Sequence, residues 1–240
     1  MPHGNGSPGG ATELERELRE GRVGWWSRSA SAEVRFLGRG APDAPEPGVA
    51  WLAGARPQAR MRQVHGATVL TGSAGECGAG DALVSPERGL ALAVVTADCV
   101  PVLLAAEHRV AAIHAGWRGF VAGVVPRALA ELGDAADVVA WIGPAIGACC
   151  YEVGEEVAAP VVARSSEAVL SPGRRGRPHV DLPLAVELEL RRLGVREILR
   201  LGVCTACHSD LLESYRRDGA AAGRNRSFIW LRDGAGTQVG

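Results

Sequence analysis

Hydrophobic and polar positions are most clearly ordered from Leu90 onward. The run LALAVVTADCVPVLLAA holds two apolar stretches parted by Thr96-Ala97-Asp98-Cys99, and RVAAIHAGWRG adds a third that leads into a glycine-rich turn. Apolar runs of this length, bounded by turn residues, predict buried strands. VAGVVPRALAELG has helical spacing and closes at Gly133, whereas DVVAWIGPAIG predicts another buried strand ending in a Gly/Pro turn. Farther on, VGEEVAAPVVAR reads as a helix despite Pro160, and VDLPLAVELELRRLGV as an amphipathic helix entered through Asp181 as its cap. REILRLGVCT is a strand, SDLLESYRRDG a short helix and RSFIWL a final strand.

The upstream part is less regular. Residues 1–10 read as an unstructured tail, ATELERELREG as a short charged helix ending at a glycine, and residues 38–58, rich in proline and glycine, as an irregular connector. SPGRRGRP, at 171–178, reads as a basic surface loop. With no repeat and no domain-sized shift in composition, the expected class is mixed α/β or α+β: a tail and short helix over 1–33, then a single domain over 34–240.

Composition narrows the function. The 240 residues are 47% hydrophobic, enough for a substantial core, and 26 basic against 27 acidic residues leave a net charge of −1. No overall field draws such a chain onto nucleic acid or an anionic membrane, so a bound anion must be held locally. No stretch approaches the ~18 uninterrupted apolar residues of a membrane span, and the N-terminus lacks the pattern of an export signal. A cytoplasmic protein is expected, as a monomer or small homo-oligomer, its six cysteines serving as thiols, ligands or nucleophiles.

Three residues at the ends of predicted strands have ligand chemistry: His65 in QVHG, Cys99 in TADC and His114 in HAGWRG. One thiolate and two neutral imidazoles suit Zn²⁺, and three protein ligands leave a fourth position for water or substrate, the pattern of a catalytic rather than a structural site. Separations of 34 and 15 positions exclude a zinc finger but do not show convergence. A single buried cysteine or histidine is ordinarily a packed core residue.

MRQVHGATV, GDALVS, LALAVVTADCVPVLL, VAAIHAGWRG, WIGPAIGACCYEVGEEV and SYRRDGAAAGR occur in this order. Together they resemble the YfiH family, also called the multicopper polyphenol oxidase or laccase-domain family, from about Arg62 to Leu231. The resemblance implies a single-domain α/β fold related to deamidase toxins. It also implies a zinc enzyme that phosphorolyses adenosine, inosine, guanosine and methylthioadenosine and deaminates adenosine. The family's metal ligands fall on His65, Cys99 and His114. Copper, implied by the older label, is the lesser expectation, because these motifs supply too few histidines for a multicopper cluster.

Each reaction sets requirements. Deamination needs an activated water and a proton shuttle, for which Asp98 and Asp81 are candidates; otherwise each is a turn-capping carboxylate. Phosphorolysis needs cationic donors for phosphate. Arg118 is the first candidate, with Arg216 and Arg224 behind it, while Arg217 or Arg224 is an ordinary surface arginine in the plainer reading. Trp117 and Tyr151 offer faces for stacking a purine, or simply core packing. The family's LNLG-type stretch and Asn-Arg pair upstream of QVHG are missing, leaving Arg56, Arg60 and Arg62 in that interval.

Other readings compete. Cys99 as nucleophile with His114 as base suits amide hydrolysis of a cell-wall precursor without a metal. Alternatively, a fourth ligand such as Cys149, Cys150 or His208 closes the site in a non-enzymatic binding protein. Cys204-Thr205-Ala206-Cys207-His208 has the C-x-x-C-H spacing of haem attachment. In a reducing compartment, and with only the first cysteine in the family pattern, it reads instead as a packed strand-end thiol, with His208 near the site at most.

Overall fold

Most of the predicted apolar runs become neighbouring strands in two mixed sheets. The protein is described by a computed structural model covering residues 11–19, 21–40, 56–173 and 176–232. Seven strands form the first sheet, in the order β1 (Glu15–Arg19), β2 (Arg22–Arg28), β3 (Ala32–Gly40), β15 (Asn225–Leu231), β8 (Ala91–Thr96), β4 (Gln58–Arg62) and β6 (Gly75–Ala79). Six form the second: β14 (Glu197–Arg200), β11 (Val139–Ile142), β9 (Val100–Ala105), β10 (Val110–Ala115), β7 (Ala82–Ser85) and β5 (Val69–Thr71). A hairpin of β12 (Leu170–Pro172) and β13 (Pro178–Val180) stands apart. The helices are α1 (Trp117–Val121), α2 (Val124–Ala130), α3 (Glu155–Arg164), α4 (Leu182–Arg192) and α5 (Tyr215–Asp218).

Strand periodicity builds three layers. Along β9, Val100, Val102 and Leu104 pack with the helices, against Phe120, Val125, Val161 and Leu190, while Leu103 and Ala105 turn to the first sheet, against Phe36, Leu92 and Ile229. Side chains alternate across a strand, so β9 and β10, covered on both faces, are apolar at nearly every position. This is why their sequences read as continuous runs. Trp141 is fully buried between the sheets and donates its indole N–H to Ser27 Oγ at 2.9 Å, the partner a buried indole needs.

The charged helix expected over ATELERELREG is instead β1, paired antiparallel with β2 from Glu15↔Trp26 to Arg19↔Arg22. Glu and Arg favour helix only weakly, and the β2 edge offers ladder hydrogen bonds that override that preference. Gly21, at φ 69, makes the reversal. β2 and β3 continue the same sheet. The helix expected over VAGVVPRALAELG begins earlier, at Trp117, and is broken into α1 and α2 by left-handed Gly123. Helix in SDLLESYRRDG is confined to α5. α3 contains Pro160 and α4 is capped by Asp181, as expected. The tail (1–10) and much of the Pro/Gly connector (41–55) lie outside the described residues, as do 174 and 175 of the basic loop, whose flanks form β12 and β13. Among the described residues, no helix is long and apolar enough to cross a membrane.

Candidate active site

The fold brings the three predicted ligands together. His114 is the penultimate residue of β10, Cys99 lies in the turn between β8 and β9, and His65 lies in the loop beyond β4. His65 is thus a loop residue rather than a strand end, with left-handed backbone at φ 60; Asp98, at φ 90, is the other non-glycine residue in that region among those described. Such conformations cost of order 1–3 kcal/mol and persist where surrounding contacts dictate them.

For His65 the contact is Asp81. Its fully buried carboxylate accepts the backbone N–H of His65 at 2.9 Å and of Gly66 at 2.7 Å, and the Nδ1–H of His114 at 2.8 Å. The imidazole of His114 is thereby fixed with Nε2 free for another partner. Gln63 anchors the other side of the loop, donating to Val95 O at 2.7 Å and accepting from Val95 N–H at 2.9 Å. Gly119 lets α1 approach the loop, since a Cβ there would lie 2.7 Å from Gly66 O.

One donor atom from each of His65, Cys99 and His114 lies within 4.8 Å of the others. Cys99 Sγ is 3.9 Å from His65 Nε2, and the two imidazole rings meet edge to face with centroids 4.7 Å apart. Burial would push the Cys99 thiol up, but His114 and His65 outweigh it and hold it at about 7. Burial would likewise lower His114, yet Asp81 and Cys99 raise it to about 9. Asp81 is drawn down despite its burial by His114 and the Gly66 and His65 amides.

These three residues line a cavity of about 610 Å³. Its walls also carry Trp117, Arg118, Tyr151, Arg216 and Arg224, and so gather the predicted purine and phosphate groups. Arg118 stacks over Trp117, 4.5 Å from the ring centroid, and Arg216 over Tyr151 at 5.3 Å. Arg216 also donates to the carbonyls of Cys150 and Glu152 at 3.1 and 2.9 Å. Arg217 is no plain surface arginine: it binds Thr205 O, Leu212 O and the Asp218 carboxylate. Arg56 instead lies over Trp230, and Arg60 and Arg62 are exposed on β4. Asp98 accepts from Thr205 Oγ at 2.6 Å and from Arg216 N–H at 2.6 Å, joining the Cys99 turn to the loop before β15.

A family model described as multi-copper polyphenol oxidoreductase laccase matches residues 49–232. The chain belongs to that family. Within it, the chain is 49% identical over 181 residues to purine nucleoside phosphorylase SCO2081 of Streptomyces coelicolor, covering 71% of this chain and 74% of that protein. It is 39% identical over 177 residues to purine nucleoside phosphorylase YfiH of Escherichia coli, covering 71% and 72%. Among solved structures, YlmD from Geobacillus stearothermophilus superposes with a TM-score of 0.80 at 26% identity, covering 92% of this chain and 99% of that one. Neisseria meningitidis protein NMB0706 does so with 0.75 at 27%, covering 92% and 100%. The YfiH-type mixed α/β fold expected from the sequence is therefore the fold of this laccase-domain protein.

The sequence reading missed two features. Gln63 stands beside His65 in QVHG yet gave no signal of its own, because its role depends on Val95 at the end of β8. The four remaining clustered cysteines were read one by one. Cys149, Cys150, Cys204 and Cys207 form a second group, distinct from the His65–Cys99–His114 group, so Cys149 and Cys150 are not grouped with it as a fourth ligand, and neither is exposed His208.

Proposed function

We propose that this laccase-domain protein is a zinc-dependent purine nucleoside phosphorylase that also deaminates adenosine. The observation that carries the reading is the convergence of His65, Cys99 and His114 at the wall of a cavity lined by Arg118, Arg216 and Arg224. The names of the relatives above support the reaction class.

The donor set fits zinc. A thiol held at about 7 ionises readily, His114 is fixed through Nδ1 so that Nε2 is the nitrogen a metal would take by displacing its proton, and Gly116 has no side chain between the ligands: a Cβ there would be 3.1 Å from Cys99 Sγ and 3.0 Å from the His65 ring. When bound, zinc would supply Lewis acidity, on which deamination draws. The donors do not fit a multicopper cluster, because His65 and His114 are the histidines lining the cavity among the described residues.

The chain's own groups divide the remaining work. Arg118, Arg216 and Arg224 bind and orient phosphate beside the sugar carbon, so that its negative charge faces the positive charge that develops there as the bond to the purine breaks and the base leaves with the electron pair. Trp117 and Tyr151 offer apolar faces to the base. The oxygens of Asp81 and Asp98 already accept hydrogen bonds, so positioning is assigned to both rather than the proton shuttle anticipated from the sequence. Substrates of this class are adenosine, inosine, guanosine and methylthioadenosine. Metal-replete protein incubated with each nucleoside and phosphate is expected to release free base and sugar 1-phosphate, and with adenosine also inosine; folded, zinc-loaded protein that turns over none of them would overturn the reading.

A second reading, thiol-dependent amide hydrolysis, is favoured by the chain Asp81–His114–Cys99, which orders carboxylate, imidazole and ionisable thiol in sequence. Loss of one equivalent of zinc in Cys99→Ala would dismiss it, because a metal-bound thiolate is not free to attack an amide.

A further inference from the structure

Residues 147–151 and 204–207 form two turns pressed together beside the cavity. Cys204 sits in a parallel bridge with Ala145, and Thr205 N–H donates to Ala145 O at 3.0 Å. Four sulfurs meet there. Cys207 Sγ lies 3.5 Å from Cys149 Sγ and 3.4 Å from Cys150 Sγ, and all four, with that of Cys204, lie within 4.8 Å of one another. A tetrahedral Zn²⁺ with Zn–S bonds of ~2.3 Å places its sulfurs ~3.8 Å apart.

Two details separate this cluster from a set of idle thiols. Cys207 is nearly equidistant from two sulfurs, whereas a disulfide would draw it to one of them at ~2.05 Å. Cys204 Sγ accepts the Gly147 N–H at 3.3 Å. A backbone N–H aimed at the first sulfur of a C-x-x-C turn suits a sulfur that carries negative charge, and C-x₂-C is ligand spacing for structural zinc.

We propose that Cys149, Cys150, Cys204 and Cys207 bind a second, structural metal ion, a thiophilic divalent cation of the zinc class. The site is closed, with four protein ligands, and is independent of the function proposed above. It ties together the wall of the cavity. Tyr151 follows Cys150, Arg216 holds the carbonyls of Cys150 and Glu152, and Thr205, between the paired cysteines, holds Asp98. The C-x-x-C pair set aside in the sequence as one packed thiol is on this view half of a metal site.

The test is metal content per chain by mass spectrometry of reduced, full-length protein, comparing wild type, Cys99→Ser and Cys149→Ser/Cys207→Ser. The cysteine double variant is expected to hold one equivalent less than wild type, whatever Cys99→Ser does, so failure at either site is read separately. Cobalt(II) added to metal-free Cys99→Ser is expected to give the strong thiolate-to-metal absorption of a four-sulfur tetrahedral site. That measurement stands even if the double variant does not fold. Equal metal in wild type and a folded double variant, cobalt spectra of Cys99→Ser without thiolate bands, or a reduced-buffer intact mass lighter by two hydrogens with no metal would each overturn the proposal.

Discussion

His114 gives its Nδ1 proton to Asp81 Oδ1 at 2.8 Å, with both side chains sealed from solvent. The same carboxylate accepts the amides of His65 and Gly66. One buried acid thus fixes a ligand on β10 and a ligand in the loop after β4, elements remote in sequence. Partners of this kind orient metal-binding imidazoles and raise their basicity.

Asp81→Asn retains the shape but sets an amide against N–H donors. Zinc affinity, measured by competition with a chromophoric chelator, is expected to fall about 10–100-fold, with the protein still folded by circular dichroism. Undiminished affinity would show that Asp81 does not position the ligands.

Gly116→Ala tests the cradle. The added methyl would lie 3.0 Å from the His65 ring and 3.1 Å from Cys99 Sγ, tighter than ordinary contact. Bound metal at this site and turnover are expected to drop together, while the melting temperature of the metal-free protein moves little, because the ligands, not the core, must shift.

Arg118→Ala separates the two reactions. Losing a charged hydrogen bond to phosphate costs about 1.5–3 kcal/mol, so the KM for phosphate is expected to rise roughly 10–100-fold. Adenosine deamination, which uses no phosphate, should retain its rate. An equal loss in both would mean that Arg118 acts on the nucleoside or the fold.

Much of this was legible because buried strands write themselves plainly. β9 and β10 are covered on both faces and β8 is buried at all but one position, so their sequences are continuous apolar runs in which Cys99, at a break, and His114, near a strand end, stand out. β1 was not legible: its charged residues are exposed, and only the edge of β2 decides that they extend as a strand. Asp81 was read with equal weight as a turn cap or a proton shuttle, because nothing in GDAL shows that it reaches His65, Gly66 and His114. Arg217 looked like a surface residue because its acceptors, Thr205 and Leu212, belong to a loop whose course is set by tertiary packing.

Cys99 should show its surroundings chemically. In metal-free protein its thiol ionises at about 7, against about 8.5 for an ordinary cysteine. Alkylation of Cys99 by iodoacetamide, followed by peptide mass spectrometry, is therefore expected to accelerate as pH rises through 7 and to level off above it. In Asp81→Asn, where His114 loses the carboxylate that favours its charged form, the midpoint should move upward. Zinc should suppress the reaction.

His65, Cys99 and His114 together are expected to hold the metal of a purine nucleoside enzyme. A crystal structure of catalytically active, zinc-replete protein, with anomalous data collected at the zinc edge, decides this. A peak is expected within bonding distance of Cys99 Sγ, His65 Nε2 and His114 Nε2, open to the cavity that holds Arg118. An active, zinc-loaded protein with no anomalous density among those three atoms would contradict it.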